Sequence, residues 1–113
     1  MSSGGDDAAL KTAAPNDRLF RISSRANVYY KEENFTAAAA EYTRALDLLR
    51  PNRRLSNATD FTALLFGNRS ACYCMLRKFE DALRDAELAV RIRPKWSKVY
   101  PWISYFFIIT LLI

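Results

Sequence analysis

The 113-residue sequence contains no histidine. It therefore lacks the side chain that most often moves protons near neutral pH or ligates metals. Cysteine is scarce as well, with only Cys72 and Cys74. Two positions apart on a helix, their side chains diverge, so an intrachain disulfide is not expected. Without a third thiol or an imidazole, a tetrahedral zinc site would need carboxylate help. We read the pair as small buried thiols in a reducing compartment. Glycine (three) and proline (four) are also few. There is no glycine-rich phosphate loop and no nucleophile elbow, so an enzyme is not expected, and no cofactor or metal is implied. The opening Met1-Ser-Ser-Gly-Gly-Asp-Asp7 is small and acidic rather than a secretory signal, which predicts a cytoplasmic protein.

Half of the residues are hydrophobic and 13% are aromatic. Such a chain orders itself, and its length allows one domain at most. The net charge of +5 points to anionic partners. Acidic peptide tails, nucleic acid and lipid surfaces all qualify, although many of these cations suit solvated helix faces. The basic residues are spread along the chain, with clusters only at Arg53-Arg54 and from Arg91 to Lys98. No nucleic-acid-binding motif accompanies them, so nucleic acid is not the expected partner.

Apolar spacing predicts four amphipathic helices. The first starts near Arg18, capped by Asn16 or Asp17, and carries Leu19, Ile22, Ala26 and Tyr29 or Tyr30. Asn34 is placed to cap the second, which carries Phe35, Ala38, Ala39, Tyr42, Ala45, Leu46 and Leu49 and ends at Pro51. A polar loop, 52–59, leads to a third helix capped by Thr59 or Asp60, with Leu64, Leu65, Ala71, Cys72, Met75 and Leu76 on its apolar side. After a turn at Arg77-Lys78 the fourth runs from Phe79 to about Ile92, before Pro94.

These helices repeat. Aligning Tyr29 with Tyr73 puts Phe35 on Phe79, Ala38 on Ala82, Ala45 on Ala89 and Leu46 on Val90. The four alanines would let paired helices approach closely, with Tyr29, Phe35, Tyr73 and Phe79 filling the space beside them. The expected fold is all-α, with antiparallel helix-turn-helix units stacked as a short right-handed solenoid. Residues 1–16 form a disordered lead, 17–100 the repeats and 101–113 an apolar terminal segment.

The pattern resembles the tetratricopeptide repeat, a helix-turn-helix unit of about 34 residues. The second unit, closing on Ile92-Arg-Pro94, is the better match; the first carries its proline one place late, at Pro51, and a longer inter-unit loop follows. Asn27, Asn68-Arg-Ser-Ala-Cys-Tyr73 and Pro94-Lys-Trp-Ser-Lys98-Val-Tyr100 further resemble the dicarboxylate-clamp subclass of co-chaperones. That resemblance implies an adaptor holding an extended, acidic C-terminal peptide in its concave groove, such as the tails of cytosolic heat-shock chaperones. Asn27, Asn68 and Lys98 match its peptide-binding positions. Two further clamp cations are replaced, by Ser23 and Trp102. The loss predicts weak or absent binding of chaperone tails, and keeps open a generic scaffold with a vestigial clamp, or a truncated isoform of a larger repeat protein.

The pattern stops at Tyr100. Pro101-Trp-Ile-Ser-Tyr-Phe-Phe-Ile-Ile-Thr-Leu-Leu-Ile113 is uncharged, aromatic and β-branched. It falls short of the roughly 20 residues that span a bilayer as a helix, which leaves a shallow membrane contact as the lesser reading. As structure we expect a hydrophobic cap over the fourth helix, and as origin a foreign terminus.

Overall fold

The structure is a computed structural model that describes residues 15–51 and 58–94. Residues 1–14, 52–57 and 95–113 lie outside the described residues, and with them Lys98, Trp102 and the expected terminal cap. The described residues form four helices: α1 (Pro15–Lys31), α2 (Phe35–Leu49), α3 (Ala58–Met75) and α4 (Phe79–Ile92). None is long and apolar enough to cross a membrane.

Helix α1 begins earlier than the sequence led us to expect, and Asn16 and Asp17 lie inside it rather than capping it. Pro15 takes the first helical position, where a missing N–H costs nothing. Asp17 in the first turn and Lys31 in the last complement the helix dipole. Helix α2 is capped as expected: the Asn34 side chain accepts from the Ala37 N–H at 3.3 Å. Helix α3 also starts early, at Ala58, so Thr59 and Asp60 sit in its first turn. Helix α4 has Lys78 at its cap position with no side-chain bond, and Glu80 and Asp81 in its first turn instead.

The repeat seen in the sequence recurs bond for bond in the turns. Glu33 and Arg77 both adopt the left-handed conformation at φ 62°. The Asn34 N–H donates to the Tyr29 carbonyl at 2.9 Å, and the Lys78 N–H to the Tyr73 carbonyl at 2.8 Å. Ala38 N–H to Asn34 O has its counterpart in Ala82 N–H to Lys78 O, at 3.0 and 2.9 Å. Each bond returns 44 residues later, which is the alignment of Tyr29 with Tyr73.

Each helix packs extensively on the next in the chain, as α1 on α2, α2 on α3 and α3 on α4. This nearest-neighbour stacking is the signature of a solenoid. Ala26, Ala38, Ala45 and Ala82 are fully buried, and Ala89 nearly so. The small side chains let the helix axes draw together, as expected. Leu19, Ile22, Tyr42, Leu49, Leu65 and Cys72 complete the core, and Tyr29, Phe35 and Tyr73 pack against it.

Two residues expected to be interior are not. Phe79 is 54% exposed and Met75 59% exposed. Repeat register bears on both. Phe35 meets the Tyr30 ring edge-on, with centroids 5.3 Å apart. The second unit has Cys74 where the first has Tyr30. Met75 occupies the position of Lys31, which faces solvent in the first unit.

Candidate functional site

Asn27 on α1 and Asn68 on α3 both lie beside one side chain, Tyr42 of α2. Tyr42 is 2% exposed, so its phenol needs a partner within the protein. Its O–H donates to Asn27 Oδ1 at 2.6 Å. The Asn68 amide lies close enough to the same phenol to favour its ionised form. The buried hydroxyl thus ties α2 to α1 at Asn27, with Asn68 of α3 beside it. Asn27 is exposed and Asn68 half-buried, so both border solvent while Tyr42 lies beneath.

The floor of this arrangement is neutral. Burial pushes the Tyr42 phenol up, with the neighbouring Cys72 and Tyr30 adding to the effect and the Asn68 amide opposing it. Burial likewise pushes the Cys72 thiol up to about 11. Neither group carries negative charge at neutral pH, so nothing in the floor repels an anion. Asn27 spends its carbonyl on Tyr42, which leaves its two amide N–H groups as donors. Outward amide donors above an uncharged floor suit a carboxylate.

Ser23 lies one turn before Asn27, on the same face of α1. Its Oγ is buried without a hydrogen-bond partner. It is too short to supply the cation that the family pattern places there. Thus the structure brings Asn27 and Asn68 together, while Lys98 lies outside the described residues.

Reading the sequence missed Tyr42 as more than a core residue. The available signal was its hydroxyl, since a buried tyrosine on an apolar stripe requires a partner. It also missed the role of Arg69. The guanidinium donates twice to Asp85, at 2.7 and 2.9 Å, and once to Thr43 Oγ1 at 2.9 Å. Its flat cation lies 5.6 Å from the centres of both the Phe66 and Tyr73 rings. Burial would lower its pKa, but the hydrogen bonds and charge of Asp85 prevail and raise it. Arg69 thus joins α2, α3 and α4, and its donors are engaged inside the fold. Buried Glu41 pairs with Arg44 at 3.1 Å, and Asp81 pairs with Arg84 on the surface at 3.8 Å. A cleft of about 250 Å³ between α2 and α3, bordered by Leu46, Phe66 and Arg69, includes neither asparagine. Cys72 and Cys74 are free thiols, the first buried and the second partly so. Among the described residues, no group of three or more His, Cys, Asp or Glu could hold a metal ion.

Fold and repeat together define the class, an all-α array of tetratricopeptide-like helical hairpins. No family model matches the chain. It is similar to heat shock protein STI1 of Saccharomyces cerevisiae, 39% identical over 79 residues, which is 70% of this chain and 13% of that protein. It is also similar to Hsp70-Hsp90 organizing protein 2 of Arabidopsis thaliana, 30% identical over 75 residues, or 66% of this chain and 11% of that one. The mouse E3 ubiquitin-protein ligase TTC3 is 32% identical over 77 residues, covering 68% of this chain and 3% of its own length. The chain spans 13% or less of the length of these curated relatives.

Proposed function

We propose that the chain is a tetratricopeptide-repeat adaptor of the dicarboxylate-clamp subclass that binds the acidic C-terminus of a partner protein. Asn27, Asn68 and Lys98 are its peptide-binding residues, and heat-shock chaperone tails are the first candidates. The observation that carries this reading is the shared phenol. Two asparagines 41 residues apart in sequence lie beside one buried hydroxyl, and Asn27, exposed and bonded there through its carbonyl, keeps its amide N–H groups as donors. The printed names of two relatives, a heat shock protein and an Hsp70-Hsp90 organizing protein, support the choice of partner. A neutral floor and a positive net charge favour an anionic ligand.

Ser23 favours a second reading, a repeat scaffold whose clamp no longer grips. A clamp lacking cations at Ser23 and Trp102 keeps hydrogen bonds to the carboxylate but loses Coulombic attraction. Calorimetry separates the two readings. A Met-Glu-Glu-Val-Asp peptide is titrated into the chain as the free acid and as the C-terminal amide. The clamp reading expects micromolar affinity for the acid, about 8 kcal/mol of binding free energy, and a weaker amide. Lys98→Ala should weaken the acid about tenfold or more, the scale of one charge-assisted contact. Ser23→Lys should strengthen it. Equal affinity for acid and amide in a folded protein would establish the scaffold reading.

A further inference from the structure

We infer that Tyr42 is a positioning residue that sets which atoms of Asn27 and Asn68 face the ligand, and so makes the site select a carboxylate over a neutral terminus. This rests on the clamp reading and deepens it.

An asparagine side chain is ambivalent. Its amide offers an acceptor on one side and donors on the other, and a flip exchanges them. An exposed asparagine with no partner can present either to a ligand. A carboxylate requires donors, whereas a C-terminal amide is served by both. Discrimination therefore requires that the flip be forbidden.

Tyr42 forbids it at Asn27. Its O–H donates to Asn27 Oδ1 at 2.6 Å, a short, strong bond. Flipping the amide would turn an N–H towards the phenol oxygen and leave the buried O–H without the acceptor it has in Asn27 Oδ1. The Asn68 amide lies near the same oxygen and favours its ionised form, the effect of a donor facing the phenol. Ala38 and Ala45 flank Tyr42 on the buried face of α2 and let the ring sit deep enough to reach both helices.

The test is Tyr42→Phe, which removes the oxygen and keeps the ring. Side-chain amide NMR on the chain without peptide reads orientation directly. In the wild type, Asn27 and Asn68 should each give one dispersed, slowly exchanging NH₂ pair. In Tyr42→Phe the Asn27 pair should move towards the position of a solvated asparagine, and the acid-to-amide affinity ratio should drop about tenfold. Unchanged NH₂ pairs in a folded Tyr42→Phe chain overturn the inference, whatever the peptides do. If the pairs respond but the wild type binds acid and amide alike, the orientation stands and the carboxylate reading of the site falls. Should Tyr42→Phe fail to fold, Asn27→Asp serves, because Asn27 is exposed. It can still accept from Tyr42 but presents no outward donor. Acid binding by Asn27→Asp as tight as wild type would equally overturn the inference.

Discussion

Tyr42 and Cys72 sit side by side in the core as neutral acids, and that makes the fold sensitive to alkali. The ordinary thiol value is 9.0, and burial lifts Cys72 to about 11. Below pH 9 the thiol is protonated in both folded and unfolded chains, so its contribution to stability is complete. Between pH 9 and 11 the unfolded chain releases a proton that the folded chain retains, and stability falls as pH rises. The shift implies a loss on the order of 2 kcal/mol across that window. Tyr42, also raised by burial, extends the loss above pH 10. Urea titrations from pH 7 to 10.5 should show the midpoint steady to about pH 9 and then declining. Cys72→Ala should start from a lower midpoint, because it leaves a small cavity, but should decline less steeply between pH 9 and 10. Identical slopes for the two proteins would remove Cys72 as the cause.

Elements were legible where local chemistry decides them. Asn34 announced α2 because its short side chain can reach the Ala37 N–H, and Pro51 announced where α2 stops. The early starts of α1 and α3 were less legible. Pro15, Asn16, Thr59 and Asp60 suit the first turn as well as the cap, and packing decides between those roles. The exposure of Phe79 was not legible from its place in the repeat, where its counterpart Phe35 is half-buried. Asn27 and Asn68 were found through the family pattern. Their link through Tyr42 was hidden, because a stripe of apolar positions does not say where a phenolic oxygen ends. The turns carry a testable cost. Glu33 and Arg77 adopt a left-handed conformation that strains a residue with a Cβ by about 1–2 kcal/mol. Glycine relieves that strain but adds freedom to the unfolded chain, so Arg77→Gly should gain only about 0.5–1 kcal/mol. Both residues are exposed, so the change disturbs no core contact. Thermal melts of Arg77→Gly should rise by a few degrees. A fall would show that Arg77 contributes an interaction worth more than its backbone strain.

The described residues form a short stack in which the proposed binding face depends on contacts between units. Arg69, bonded to Thr43 and Asp85, fixes α3 between α2 and α4. Tyr42 joins α2 to α1 through Asn27, with Asn68 of α3 close by. The cation ties the stack by charge and the phenol ties it while leaving donors at the surface, which is why we place binding at the second. The most direct test of that placement is an NMR titration of the ¹⁵N-labelled chain with the free-acid peptide, following the side-chain amides of Asn27 and Asn68. Both pairs should shift together and saturate along one curve, with little response to the amidated peptide. Shifts confined to residues around the cleft at Leu46, Phe66 and Arg69, with both asparagine pairs unmoved, would contradict the account.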